Sequence, residues 1–201
     1  MRARSAAILL MSTCVAGAAL TGDAGADDAA GRGPINAALI AQVRTYLSSD
    51  IVQMSVRNQN RKNSSATQAD IDTLDKQWRD ETAGTAKPLI SATLSNPLSA
   101  YLTRIQAHSS GLFTEIFVMD NKGLNVGQSS ISSDYWQGDE DKWQKTYSVG
   151  AGSVFIDAPE WDAGSKTWQA QVNIAVDDAA TKQVIGAATF QVNITELQRR
   201  R

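Results

Sequence analysis

The sequence predicts an α+β fold in which a long N-terminal helix and further helices pack on a five-stranded antiparallel sheet. Between residues 40 and 105, apolar residues recur at steps of three and four, the spacing of amphipathic helices. From residue 113 onward they alternate as in strands, and glycine-containing turns separate the strands. Because the helices precede the strands instead of alternating with them, the sheet is expected to be antiparallel.

Three helices are predicted in the first half of the chain. The first covers residues 40–54, the second begins at residue 67, and the third begins at Pro97, a residue suited to the first helical position. Thr67 and Asp70 form a capping box that satisfies free backbone N–H groups at the second start. The apolar stripes of the three helices are Ile40, Val43, Leu47, Ile51 and Met54; Ile71, Leu74 and Trp78; and Leu98, Leu102 and Ile105.

Five strands are predicted in the second half, at residues 115–119, 124–128, 153–157, 167–176 and 184–193. The first two form a hairpin around residues 120–123, a turn in which Gly123 adopts positive φ at low cost. Side chains alternate across a strand, so each of the last two strands has one apolar face. Their other faces form an amide-rich surface of Gln169, Gln171, Asn173, Gln191 and Asn193.

This amide-rich surface has two interpretations. It faces water, as one side of an antiparallel sheet often does. Alternatively, it is the floor of a polar cavity that is covered by residues 133–147, between the second and third strands. Buried polar groups without partners cost about 1–3 kcal/mol each, so a covered amide surface would require water or a ligand.

Residues 133–147, with the sequence SDYWQGDEDKWQKTY, are here named the covering segment, and they contain two tryptophans and two tyrosines. Asp139, Glu140 and Asp141 are suited to the first turn of a short helix, where negative charge complements the helix dipole. Trp143 and Tyr147 are four residues apart and share a helix face. These aromatic rings either fill a core or form the wall of a small-molecule pocket.

The N-terminus has the pattern of a secretory signal. A basic start, a short apolar stretch and the motif Ala24-Gly25-Ala26 predict a signal peptide at residues 1–26. A flexible lead-in at 27–38, a single domain at 39–194 and a tail at 195–201 are expected to follow. The expected location is the bacterial periplasm, with lipoprotein processing at Cys14 as the alternative. No apolar run in the mature chain is long enough to span a membrane.

Composition and motifs exclude several functions. The net charge of −2 gives no attraction to nucleic acid or anionic lipid. Cys14 is the only cysteine, so the mature chain has no disulfide and no cysteine ligand for a metal. No phosphate loop or metal-binding motif is present, and no cofactor is expected. Because His108 is the only histidine and no G-x-S-x-G motif exists, an enzyme such as a hydrolase is not expected.

The order of these segments resembles that of the single Cache (PDC) sensor domains, which are extracytoplasmic and PAS-like. The resemblance covers residues 39–194 and rests on the hairpin FVMDNKGLNVGQSS, the covering segment, the strand VFIDAP and the ending VNIAVDDAATKQVIGAATFQVNI. It implies helices packed on a five-stranded antiparallel PAS-like sheet, and binding of a small polar metabolite such as an amine, an amino acid or a carboxylate. Receptors of this family continue into a membrane helix and a signalling module, whereas this chain ends where that helix would begin. We therefore expect a free-standing, exported domain that passes its state to a separate membrane receptor.

The predicted ligand-binding residues are Tyr135, Trp136, Trp143, Phe155, Asp157, Gln171 and Asp177. Three are aromatic residues of the covering segment, and one belongs to the amide-rich surface. By resemblance to relatives that bind amino acids, Phe155, Asp157 and Asp177 match positions that hold the ammonium group of the ligand, a role that suits carboxylates. The arginine that holds the carboxylate of the ligand in those relatives has no match, since Asp141 stands near its place, followed by Lys142. An amine or another polar metabolite is therefore also a candidate.

Two further hypotheses concern proteins as partners. The chain is alternatively an adaptor without a ligand, which exposed apolar residues on the outer face of the first helix would favour; Leu39 and Val52 are the candidates there. Homodimerisation through the first helix predicts a mass in sedimentation that depends on protein concentration.

Overall fold

The computed structural model describes residues 35–200, which form seven helices and six strands. The helices are α1 (Ala37–Leu47), α2 (Asp50–Lys62), α3 (Gln68–Ala83), α4 (Pro88–Leu94), α5 (Pro97–His108), α6 (Asp141–Gln144) and α7 (Ile194–Arg199). The strands are β1 (Phe113–Met119), β2 (Asn125–Gln128), β3 (Val154–Ile156), β4 (Glu160–Asp162), β5 (Thr167–Asp177) and β6 (Val184–Asn193). The predicted signal peptide, with Cys14, lies outside the described residues.

All six strands belong to one antiparallel sheet. Five follow the order β2-β1-β6-β5-β3, and the short β4 pairs with the start of β5. The predicted α+β fold, with helices packed on an antiparallel PAS-like sheet, is confirmed; β4 is an additional strand. The register of β5 and β6 pairs Gln171 with Gln191 and Asn173 with Thr189, so these polar side chains lie next to one another on one face.

The main hydrophobic core lies on the opposite face of the sheet. Val172, Ile174 and Phe190 are fully buried there, as the alternation in the sequence predicts. They pack against α1, α2 and α5 in one continuous cluster. The sheet therefore separates a dry core on the helix side from the amide-rich surface on the other side.

The prediction of a single helix over residues 40–54 is wrong, because the helix is interrupted at Ser48 and Ser49. The hydroxyls of both serines donate hydrogen bonds to main-chain carbonyls of the preceding turn, and Ser49 has extended backbone angles. Side-chain bonds of this kind compete with a continuous helix. As a result, Met54 is 57% exposed instead of buried, and α2 buries Val52 and Val56.

Two helices are not predicted by the sequence. The carboxylate of Glu81 in α3 accepts hydrogen bonds from the main-chain N–H groups of Leu89 and Ile90 (3.1 and 2.9 Å) and so fixes the start of α4. The other helix, α7, occupies most of the predicted tail, and its first residue, Ile194, is buried in the main core. Within residues 35–200, no helix has both the length and the apolar character that a membrane span requires.

Candidate ligand-binding site

The start of the covering segment is fixed to α3. Oδ1 of Asp75 accepts hydrogen bonds from the main-chain N–H groups of Tyr135 and Trp136 (2.9 and 3.0 Å). The ring of Tyr135 stacks on Trp78, with 5.3 Å between the ring centroids, and both residues are buried. Burial raises the pKa of Tyr135 to about 12. Tyr135 thus belongs to a second hydrophobic core, between α3 and the covering segment.

The two tryptophans of the covering segment bind the hairpin turn between β1 and β2. Nε1 of Trp136 donates to the carbonyl of Lys122 (2.8 Å), and Nε1 of Trp143 donates to the carbonyl of Asp120 (3.2 Å). Gly123, with a φ of +82°, approaches the covering segment closely, since a Cβ there would lie 2.6 Å from Cα of Gly138. Both indoles therefore anchor the covering segment.

The hairpin turn is assembled around the carboxylate of Asp120, which is fully buried. Oδ1 accepts hydrogen bonds from the N–H groups of Lys122 and Leu124 (2.8 and 3.0 Å). Oδ2 accepts from the side-chain amides of Gln59 in α2 and of Asn63, the residue that follows α2 (3.1 and 3.2 Å). Asp120 thus joins the hairpin turn to α2, and the hairpin turn holds the covering segment.

Further along the covering segment, Trp143 and Tyr147 stack with their ring centroids 4.7 Å apart. They pack against Phe117, Met119 and Ala187, on the face of the sheet opposite the main core. At this end of the amide-bearing face the aromatic rings fill a small core.

At the other end, the covering segment and the sheet separate and leave a cavity of about 350 Å³, here named the polar cavity. The start of α6 forms its roof, the β3–β4 connection its side, and β5 and β6 its floor. The lining residues are Glu140, Asp141 and Lys142 in the roof; Asp157, Ala158 and Glu160 at the side; and Gln169, Ala170, Gln171 and Gln191 in the floor. The volume lies in the range of small-molecule sites, roughly 300–1,000 Å³.

The polar cavity is acidic, because among residues 35–200 four carboxylates and a single cation, Lys142, line it. Two of the carboxylates are paired: Glu140 with Lys142 (2.8 Å) and Asp141 with Lys145 (2.7 Å). The other two make no ion pair with residues 35–200. The described part of the chain contains no group of three or more side chains arranged to hold a metal ion.

Asp157 is the unpaired carboxylate that the floor orients. Its Oδ2 accepts a hydrogen bond from Nδ2 of Asn173 (3.3 Å), whose Oδ1 accepts one from the hydroxyl of Thr189 (2.7 Å). Burial raises the pKa of Asp157, although Asn173 and Lys142 act in the opposite direction. Burial also raises the pKa of Glu115, in β1. Asp157 lines the polar cavity, so a cation bound there would stabilise its charged form.

The structure brings two of the seven predicted residues, Asp157 and Gln171, into the wall of the polar cavity. Phe155 does not line it; the ring lies 4.4 Å from Nζ of Lys145. The carboxylate of Asp177 accepts a main-chain N–H and lines a separate cavity of about 240 Å³. The remaining three predicted residues, Tyr135, Trp136 and Trp143, hold the covering segment in place.

Eight of the ten lining residues were not among the predicted ligand-binding residues, and six of these have polar side chains: Glu140, Asp141, Lys142, Glu160, Gln169 and Gln191. The sequence assigned Glu140 to the helix dipole, whereas its carboxylate pairs with Lys142. The sequence had placed Gln169 and Gln191 on the amide-rich surface. Their side chains point to the same face of the sheet as that of Gln171, and this common face is the signal that could have identified them. Glu160 lies on β4, a strand that the sequence pattern does not show.

No family model matches the chain, and no curated protein matches it either. Among solved structures, it is similar to the ligand-binding domain of the Campylobacter jejuni chemoreceptor Tlp3 in complex with 4-methylisoleucine. The identity is 13% and the TM-score 0.36, and the match covers 80% of this chain and 60% of that domain.

Two other similar structures come from different bacteria. One is the ligand-binding domain of the Pseudomonas aeruginosa amino acid chemoreceptor PctC in complex with GABA, at 14% identity and a TM-score of 0.36, covering 80% of this chain and 62% of that one. The other is the sensor domain of the V. cholerae histidine kinase DctB, at 14% identity and a TM-score of 0.35, covering 74% and 58%. The chain spans about three fifths of the length of these solved domains.

Proposed function

We propose that this chain is an exported sensory domain protein whose polar cavity binds a small metabolite with an ammonium group. The observation that carries the proposal is the charge of the cavity, in which two carboxylates of the wall have no ion-pair partner within residues 35–200. Asp157 and Glu160 both line the cavity, and either carboxylate can accept a charge-assisted hydrogen bond from an ammonium group bound there. The floor amides of Gln171 and Gln191 offer donors and acceptors to the remaining polar atoms of the ligand.

The same charges disfavour a ligand whose main polar group is a carboxylate. In the described part of the chain, Lys142 is the one cation of the lining, and it is already paired with Glu140 and hydrogen-bonded to Gln137 (3.1 Å). An anionic ligand would have to compete for this lysine and approach three further carboxylates. Amines therefore fit better than dicarboxylates. Amino acids in which the carboxylate is far from the ammonium group, such as the GABA bound by PctC, are expected to bind less well than amines and better than dicarboxylates.

The test is a binding panel on the mature protein, with putrescine, ethanolamine, GABA, isoleucine and succinate as probes. We expect amines to raise the melting temperature, since a ligand at 100 times its Kd adds about 2.7 kcal/mol to stability. Calorimetry should then show binding weakened about tenfold or more in Asp157→Asn, because one charge-assisted contact is lost. Asp139→Asn is the matched control, since Asp139 is an exposed carboxylate of the covering segment outside the cavity lining.

Two results would contradict the proposal. One is stabilisation by succinate and by none of the amines. The other is an amine affinity that is the same in Asp157→Asn as in the wild type. Either result leaves the fold intact and removes the polar cavity as an ammonium site.

The proposal also includes export and a separate membrane partner. Export is supported by the signal pattern in residues 1–26, and cell fractionation tests it; Cys14→Ala distinguishes a free protein from a lipid-anchored one. Crosslinking in cells with and without the identified amine tests the partner. Leu39 and Val52, the two residues considered for the alternative, an adaptor, are buried and so do not contribute to a partner surface.

A further inference from the structure

A second cavity lies on the helix side of the sheet, between α1, α5 and the end of α7. Its volume is about 390 Å³, and it is here named the tyrosine cavity. Its floor consists of Ile105, Leu112 and Phe113, which are all buried in the main core. The polar cavity lies on the opposite face of the sheet, so the two cavities share no lining residue.

The aromatic walls of this cavity are held in place before any ligand arrives. The ring of Tyr46 stacks on Phe190 at 6.4 Å between centroids, and its hydroxyl accepts a hydrogen bond from Nε2 of Gln42 (2.8 Å). The hydroxyl of Tyr101 donates to the main-chain carbonyl of Tyr46 (3.2 Å). A flat or aliphatic group could therefore pack between rigid apolar surfaces, as in many small-molecule sites.

The rim of the tyrosine cavity carries the opposite charge from the polar cavity. Arg104, His108 and Arg200 line it, and none of the lining residues that the structure describes is a carboxylate. Arg200 is engaged, since it donates to the carbonyls of Ser109 and Ser110 (2.7 Å each) and pairs with a glutamate. The guanidinium of Arg104 makes no hydrogen bond or ion pair with residues 35–200. Its planar set of donors is available to a carboxylate.

Basic residues near the end of α5 also complement the helix dipole. That effect accounts for the position of Arg104 near the end of the helix, but it does not require an apolar cavity with tyrosine walls beside it. An apolar floor together with an available guanidinium is the combination that recognises an amphipathic anion.

We infer that the tyrosine cavity binds an amphipathic monocarboxylate, with the apolar body on Ile105, Leu112 and Phe113 and the carboxylate at Arg104. This site is independent of the ammonium site proposed above. The carboxylates of the polar cavity repel an anionic ligand, and the basic rim of the tyrosine cavity repels amines.

Octanoate is the probe, and calorimetry on the wild-type protein is the measurement. We expect saturable binding of one octanoate, and at least about fivefold weaker binding of the neutral analogue octanamide, which lacks the charge. Arg104→Gln should weaken octanoate binding at least about fivefold. Since Arg104 is exposed, this variant should melt at the wild-type temperature.

Arg199→Gln is the matched control, because it removes the same charge next to the cavity from a side chain that is 76% exposed and does not line it. Its octanoate affinity should stay within about twofold of the wild type. Asp157→Asn should also leave octanoate binding unchanged, which separates this site from the ammonium site. The inference is overturned if octanoate does not saturate the wild type, if octanamide binds equally well, or if Arg104→Gln and Arg199→Gln behave alike.

Discussion

Gly138→Ala tests whether contacts with the hairpin turn hold the covering segment. A Cβ on Gly138 would lie 2.4 Å from Nε1 of Trp136 and 3.0 Å from the carbonyl oxygen of Lys122. These are the donor and acceptor of the 2.8 Å hydrogen bond between indole and turn. A single methyl group therefore cannot be accommodated unless this bond breaks.

The cost follows from two effects. Loss of the bond around a half-buried indole costs about 1–3 kcal/mol, and overpacking costs about 1–3 kcal/mol. Because both effects act at one contact, they overlap, and we expect a loss of about 2–4 kcal/mol in the free energy of unfolding. For a domain of this size that corresponds to a melting temperature lower by roughly 4–16 °C.

Urea unfolding followed by circular dichroism measures this loss. The control is Gly164→Ala, where the nearest atom, Oδ1 of Asp162, would be 3.5 Å from the new Cβ, and the expected change is within about 0.5 kcal/mol. In a Trp136→Phe background the indole is gone, so Gly138→Ala should cost only about 1 kcal/mol. The explanation is refuted if Gly138→Ala is as mild as the control, or if its full cost persists in the Trp136→Phe background.

Three further predictions concern single side chains. Trp143→Phe removes the bond to the Asp120 carbonyl and should cost about 1 kcal/mol in urea unfolding while amine affinity stays within about twofold; a tenfold loss of affinity would place the indole against the ligand. The pKa of Asp178 is lowered to about 2, mainly by the N–H groups of the following turn and then by Arg57. The ionised carboxylate therefore stabilises the fold at pH values above its ordinary pKa of 3.8, and this stabilisation is lost as the pH falls towards about 2. Wild type and Asp178→Asn should therefore differ in urea unfolding near neutral pH and converge near pH 2, and an equal difference at both pH values would contradict the assignment. Burial raises the pKa of Asp157, so amine affinity measured by calorimetry should increase as the pH rises from about 4 to about 7, with a weaker dependence in Asp157→Asn; identical profiles would exclude Asp157 as the titrating group.

Features that depend on neighbouring residues were predictable from the sequence. The capping box of Thr67 and Asp70 forms as expected, because both of its hydrogen bonds lie within one turn. The alternation in β5 and β6 correctly separates the face that buries Val172 from the face that carries Gln171. In both cases the local backbone geometry determines the direction of the side chain.

Features that depend on distant contacts were not predictable. The start of α4 is fixed by Glu81, whose carboxylate reaches two N–H groups eight and nine residues further along the chain. Whether Trp143 faces a core or a ligand depends on a bond to Asp120, on another part of the fold. The spacing of aromatic residues is the same in both cases, so sequence periodicity alone does not distinguish an anchor from a pocket wall.

The buried carboxylate of Asp120 has a consequence for how the domain opens. An isolated hairpin could supply only two of its four donors, the N–H groups of Lys122 and Leu124. The other two, from Gln59 and Asn63, arrive only when α2 is docked. Undocking α2 would therefore remove two of the four hydrogen bonds to the buried carboxylate. Because that loss is unfavourable, α2 and the hairpin are expected to unfold as one cooperative unit. In native-state hydrogen exchange, the amides of Lys122 and Leu124 should exchange at the same free energy as those in the middle of α2.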